Sequence, residues 1–143
     1  MNSHELNAIC DVCKNPIADG AGNVWIDKAD LSRAERGVKE WEDAQREAAR
    51  ERDGVVMYSA DDLLAYPEAA RWAVTHRACD PEPDTSAYSF EVHRCRTWAE
   101  LVDWTAHLMG KTWLQVTDWN VLLEEATAAR GHRISPSVKP KIR

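Results

Sequence analysis

Four residues in two short motifs have the types and spacing to hold a metal ion. Cys10-Asp11-Val12-Cys13 lies near the start of the chain and His76-Arg77-Ala78-Cys79 near its middle. Each motif presents two soft ligands three positions apart, a spacing at which both side chains of one tight turn reach the same ion. Pooled, Cys10, Cys13, His76 and Cys79 supply three thiolates and one imidazole. That set fills a tetrahedral shell and leaves no position for a catalytic water, so the expectation is one structural zinc ion (Zn2+). Other fates compete for these cysteines. A thioredoxin-like redox pair needs its Cys-x-x-Cys at a helix head, where the dipole lowers a thiol pKa; here Pro16, Gly20 and Gly22 follow instead. A disulfide framework suits a secreted chain, and unrelated buried cysteines would not need ligand spacing. Cys95, with His93 two residues before it, is a rival pair, because positions i and i+2 share a face on a strand. A spare cysteine is more often a small buried hydrophobe. His107, three residues after Trp104, reads as a packing residue on a helix face.

Sixty-two residues separate Cys13 from His76, so other elements must bring the half-sites together. Residues 23–27 and 71–75 have strand composition and are expected to pair as a hairpin, with residues 28–70 inserted at its tip. Loop closure costs only logarithmically in length, so a long insertion is tolerable. Within it, Ser32-x-x-Glu35 reads as a capping box opening a helix over 33–52. Ala34, Val38, Trp41 and Ala48 lie on its apolar stripe, and Gly54 ends it. Residues 55–58 read as a short strand or an extended link, and residues 59–62 as the cap of a short helix that stops before Pro67. A loop at 81–83 precedes a strand over 88–92. Thr97-x-x-Glu100 caps a further helix whose expected buried stripe is Trp98, Leu101, Val102, Thr105, Leu108 and Met109. After Gly110, Thr117 or Asp118 caps a last helix with Val121, Leu122, Ala126 and Ala129 on its apolar side.

The expected class is therefore α+β: a small zinc-stapled β-hairpin module over 1–96 with a long helical insertion at about 28–70, a C-terminal helical hairpin over 97–130 packed on it, and a disordered basic tail over 131–143. That tail carries Arg133, Lys139, Lys141 and Arg143 and no acid, which leaves the rest of the chain at −10 within a net −6. The acidic body argues against a general nucleic-acid coat protein. Seven tryptophans against one phenylalanine suggest a small core built from few, large side chains, although exposed tryptophans could also stack bases or meet a partner. No apolar run is long enough to cross a bilayer. The first residues lack the layout of a secretory signal, which points to the cytoplasm, where thiols stay reduced.

Signatures of catalysis are missing. The chain has no phosphate-cradling glycine loop, no Gly-x-Ser-x-Gly elbow, no His-Glu-x-x-His and no deaminase pattern. The string Cys10-x-x-Cys13-x-x-Pro16-Ile17-x-Asp19-Gly20-x-Gly22, followed by Trp72-x-Val74-x-His76-x-x-Cys79, resembles treble-clef and zinc-ribbon modules. It is most similar to those in small uncharacterised proteins of actinobacterial phages and mobile elements, although Lys14 stands where such knuckles often carry glycine. The later stretch Trp104-Thr105-Ala106-His107-Leu108, with Lys111-Thr112-Trp113-Leu114 and Thr117-Asp118-Trp119, resembles the same group. The resemblance implies a fold and a setting and no activity. The expected function is a non-enzymatic adaptor or regulator that binds another macromolecule, a host or phage protein. The alternatives are a nucleic-acid-binding regulator using the zinc hairpin and basic tail, and a degenerate His-Asn-His-type nuclease recruiting His93 or His107.

Overall fold

Residues Gly22-Asn23-Val24-Trp25-Ile26 alternate between buried and half-buried and, with exposed Asp27, form the central strand, β2 (Gly22–Asp27). A computed structural model describes residues 5–80, 87–128 and 132–137. Strand β2 pairs antiparallel with β3 (Ala73–His76) on one edge and with β4 (Ala87–Glu91) on the other. The register sets Gly22 opposite His76 and Trp25 opposite Ala73, so the expected hairpin forms across the long insertion. A second sheet joins the two ends of the chain, with β1 (Leu6–Ala8) antiparallel to β5 (Ile134–Pro136). With helices α1 (Lys28–Glu51), α2 (Ala60–Leu64), α3 (Trp98–Leu108) and α4 (Trp119–Thr127), the architecture is α+β.

Helix α1 begins earlier than its sequence signal. Asp27 is the N-cap, its carboxylate accepting from the Ala29 N–H at 2.8 Å, and Ser32 and Glu35 lie inside the helix. Its first turns belong to the core through Leu31 and Ala34, and Ala70, at the far end of the insertion, bridges to Thr117. The insertion is thus rooted in the body at both ends. Its distal half is covered by its own return strap. The Trp41 indole donates to the Asp62 carbonyl at 2.7 Å, and its ring stacks on Tyr58 and meets Tyr66 edge-on. Asp53 and Gly54 both take positive φ, and the Gly54 N–H bonds to the Ala49 carbonyl, which stops the helix. Residues 55–59 belong to no helix or strand, and a Ser59–Asp62 capping box opens α2.

Helix α3 turns a different face inward than its apolar pattern suggests. Leu101 and Leu108 are buried and Trp104 packs on Phe90, whereas Trp98, Val102 and Met109 are exposed. Apolar residues cover both stripes of this helix, so periodicity alone cannot choose between them. In α4 the buried residues are Trp119, Leu122 and Ala126, and Val121 faces outward. Ala129 lies outside the described residues. One buried cluster runs from Leu6 and Val24 through Trp72 to Leu122 and Ile134, crossing the boundary expected near residue 96. At its centre is Trp72, whose ring lies 5.3–6.1 Å from those of Trp119, Phe90, Trp113 and Tyr88.

The disordered tail expected over 131–143 is corrected for residues 132–137. Ile134 and Arg133 are buried and β5 is a paired strand. The Arg133 guanidinium grips Glu125 at 2.7 and 3.0 Å, Asp118 at 2.9 Å and the Trp72 carbonyl at 2.7 Å. Burial would lower its pKa, but these two carboxylates outweigh that and hold it above its ordinary value. An arginine counted as a tail charge is an internal clamp. The remainder of that segment, residues 131 and 138–143, lies outside the described residues. Replacing Arg133 by Met should cost about 3–5 kcal/mol, because two carboxylates and a buried carbonyl lose their partner. Ending the chain at Ala128 removes β5 as well and should cost more. Denaturant midpoints of the two variants test this, and midpoints unchanged from the native chain would refute the clamp.

Candidate metal centre

The first half-site is the tip of a small hairpin. Ile9 bridges to Pro16, the Ile17 N–H donates to the Ala8 carbonyl, and the Cys10 N–H donates to the Asn15 carbonyl. Between them the chain reverses, with the Lys14 N–H bonded to the Cys10 carbonyl at 2.9 Å and Lys14 at φ 65°. A left-handed lysine costs roughly 1–2 kcal/mol, which the closed turn must offset. Cys10 is buried beneath this turn and Cys13 is exposed at its rim.

The second half-site is the end of β3. His76 is its last residue, and a 3-10 turn over Arg77–Cys79 folds Cys79 back toward the knuckle. The Arg77 N–H, bonded to the Ala21 carbonyl at 2.9 Å, starts that turn. Gly22 faces His76 across the ladder with no room for a side chain. A Cβ there would lie 2.4 Å from the Thr75 carbonyl oxygen and 2.8 Å from an Ile17 methyl.

Asp11 joins the half-sites. Its N–H donates to the Val74 carbonyl at 2.7 Å, and its carboxylate accepts from the Val74 N–H at 2.8 Å. The same carboxylate takes both Arg71 guanidinium contacts at 3.0 and 3.3 Å. Although β3 is an edge strand, Val74 is thus paired on its outer side by a knuckle residue. On the far side, the buried Arg96 side chain bonds to the Ile17 carbonyl and, at 2.5 Å, to Asp19, holding the segment after the knuckle.

The outcome is a cluster of Cys10, Cys13, His76 and Cys79 whose ligand atoms all lie within 4.8 Å of one another, close enough to hold one metal ion. Two thiolates bound at about 2.3 Å in a tetrahedral shell stand roughly 3.8 Å apart, so the cluster fits such a shell with small side-chain adjustment. The imidazole tautomer follows from its neighbours. Nε2 lies 3.2 Å from the Pro16 carbonyl, which can only accept, so Nε2 carries the proton and Nδ1 keeps its lone pair. Nδ1 sits 3.2 Å from Cys13 Sγ, inside the cluster. This is the outer-shell arrangement that orients a ligating histidine. Burial would raise the Cys10 thiol pKa. The backbone N–H groups around it, those of Cys13, His76 and Val12, win and lower it to about 6. Cys79 is pushed up to about 11 by desolvation and by its hydrogen bonds and repulsion with Cys10 and Cys13. Three sulfurs so close cannot all ionise without a cation, which is the electrostatic counterpart of the donor geometry.

The rival ligands stay apart. Cys95 is fully buried, with burial pushing its thiol up to about 12, and His93 pairs with Glu91 at 3.0 Å. His107 stacks on the Trp104 ring at 4.4 Å. Sequence reasoning missed Asp11, Gly22 and the Pro16 carbonyl. Gly22 carried a faint signal as a glycine beside a strand pattern. Asp11 and Pro16 carried none, since their roles depend on which strand lies alongside.

Cys10→Ser and Cys79→Ser should each lower bound metal well below one equivalent and destabilise the fold, while Cys95→Ser should leave the metal in place. Elemental analysis checks the assignment, and metal loss on Cys95→Ser with retention on His76→Ala would reverse it. Gly22→Ala should push β3 outward, weakening metal retention against a chelator by at least about tenfold, whereas Gly20→Ala, at an open turn, should disturb the ligands far less. No protein-family model, curated protein or solved structure matches this chain.

Proposed function

We propose that the protein is a non-enzymatic adaptor or regulator, stapled by one structural zinc ion in a treble-clef-like setting, that acts by binding another protein. The observation carrying this reading is the closed donor set. Three thiolates and an oriented imidazole saturate a tetrahedral ion, so the metal serves folding and offers no open position for chemistry. Zinc is favoured by the single imidazole among thiolates. Structural sites of this kind contribute about 10–16 kcal/mol of apparent binding free energy in zinc-finger peptides, ample for a knuckle with a strained Lys14.

The rest of the molecule supports docking over catalysis. His93 and His107, the residues a nuclease would have to recruit, are engaged with Glu91 and Trp104. The nucleic-acid reading loses part of its basis, because Arg133 is internal and committed to Glu125 and Asp118. Net charge of −6 further disfavours a polyanion. Among the described residues no helix is long and apolar enough to cross a membrane. A set of reduced thiols fits residence in the cytoplasm.

Purified protein should contain close to one equivalent of zinc, and chelation should unfold it. Tagged native protein captured from the organism that encodes it, with and without nuclease, tests the partner class. A protein retained after nuclease treatment and lost with the Cys79→Ser variant is the expected result. A catch that disappears with nuclease would move the assignment to nucleic acid.

A further inference from the structure

Two adjoining hollows of about 690 and 320 Å3 are lined by α3, α4 and the turn between them. They share Thr105, Met109 and Leu123, and so form one groove. Residues 98–128, which supply every lining side chain, carry five acids and one lysine. The lysine, Lys111, lines the larger hollow, and none of the five acids lines either. Asp118 and Glu125 are held by Arg133, and Glu100 accepts from the Thr97 hydroxyl. Asp103 and Glu124 are exposed outside the groove. An occupant therefore meets one positive charge and no negative one.

Polarity changes from one end of the groove to the other. Thr112, Gln115 and Asn120 line only the larger hollow, and their side chains have no protein partner among the described residues. With Lys111 they offer a ligand a cation, a hydroxyl and two amides. In the smaller hollow the hydroxyls of Thr105 and Thr127 are already committed, donating to the Leu101 and Glu124 carbonyls at 2.7 Å each. Trp98, Leu101, Val102 and Ala106 make the rest of that wall apolar, and Met109 and Leu123 carry the carbon surface into the larger hollow. Val102 and Met109 are 66% and 71% exposed, so the groove is open to a ligand from solution. From Trp98 to Met109 the wall follows α3 for about 16 Å at the helical rise, the length of an extended chain of about twelve carbons. A docking helix would carry its apolar stripe along its whole length. A polar, cationic end and a carbon end suit a single-chain amphiphile with an anionic head instead.

We propose that this groove binds the anion of a free medium-chain fatty acid. The carboxylate meets Lys111 and the side chains of Thr112, Gln115 and Asn120, and the alkyl tail runs over Met109 and Leu123 into the smaller hollow. The site is separate from the metal centre and goes beyond the adaptor reading, which stands or falls on its own test.

The probes are octanoate, dodecanoate and dodecylammonium, each titrated calorimetrically below its micelle-forming concentration into the full zinc-loaded chain. Dodecanoate should bind at least about tenfold more tightly than dodecylammonium, and affinity should rise about twofold or more per CH2 from octanoate to dodecanoate. Lys111→Gln should weaken dodecanoate about fivefold or more, and Lys111→Glu should turn the preference toward dodecylammonium. Val102→Glu should weaken dodecanoate about tenfold, with zinc content and thermal midpoint unchanged. In proton–nitrogen spectra the indole signals of Trp98 and Trp119, which line the two hollows, should move with dodecanoate while those of Trp25 and Trp41 stay. Equal affinity for the two head groups, no gain with chain length, or a Trp98 signal that does not move would each overturn the proposal. Tighter binding to phosphatidylglycerol vesicles than to free dodecanoate, lost in Val102→Glu, would make a membrane surface the occupant and overturn it too. So would self-association of the native chain that Val102→Glu abolishes and dodecanoate does not, which would make a second copy the occupant. Saturable binding seen only in a chain ending at Ser137 would assign the groove to the chain's own last residues. A captured protein lost from Val102→Glu but not displaced by dodecanoate would make this face a protein interface, sinking the ligand proposal while the adaptor reading stands. If the native chain captures no nuclease-resistant protein, the adaptor reading fails whatever the fatty acids do.

Discussion

The backbone of Trp72 is held by side chains, and much of the molecule depends on that grip. Its N–H donates to Asp118 at 2.8 Å and its carbonyl accepts from Arg133 at 2.7 Å. Residue 72 lies just before β3, so its polar backbone groups would be buried without a ladder to satisfy them. Arg133 ties both carboxylates into one buried network, satisfied on every arm. The grip fixes the Trp72 ring at the centre of the aromatic core and orients the strand that ends at His76 four residues later. The metal half-site is therefore aimed from the C-terminal end of the chain, by residues far from either motif.

Two constraints converge on His76 from opposite sides. From the core, Trp72 and the β2 pairing set the height of the strand. From the knuckle, Asp11 binds both backbone groups of Val74, and the Pro16 carbonyl fixes the tautomer of the imidazole. Gly22 closes the arrangement by letting β2 and β3 approach without a side chain between them. A metal ion held there would link the two pieces of backbone that these contacts bring into register. This division of labour explains how a long insertion can separate the half-sites, since neither registration depends on the distal part of α1.

That distal part has its own economy. A narrow seam on a highly charged helix cannot be buried on the main body, so the chain returns along it and covers Trp41 with Tyr58 and Tyr66. The first turns of α1 behave differently, because Leu31 and Ala34 sit in the common core. One helix is thus part body and part arm. Helix α3, by contrast, packs one apolar stripe into the core and leaves Trp98, Val102 and Met109 of the other exposed.

Ligand types and spacings were legible in the sequence because a tight turn is a local object: Cys10 with Cys13, and His76 with Cys79, need only a few residues to define each pair. The hairpin strands, the Ser59 cap and the Thr97 cap were legible for the same reason. The sequence likewise determined that thiolates and an imidazole could share one ion, a matter of donor chemistry. Tertiary structure alone decided the rest. The phase of α3 was ambiguous because two stripes were apolar, and only packing of Leu101, Trp104 and Leu108 against Phe90 and its neighbours chose between them. Asp27 displaced Ser32 as the cap of α1 because the helix grows directly out of β2. Arg133 looked like a tail charge, since nothing local shows that Asp118, Glu125 and the Trp72 carbonyl wait for it; a buried charge is intelligible only with its distant partners in place.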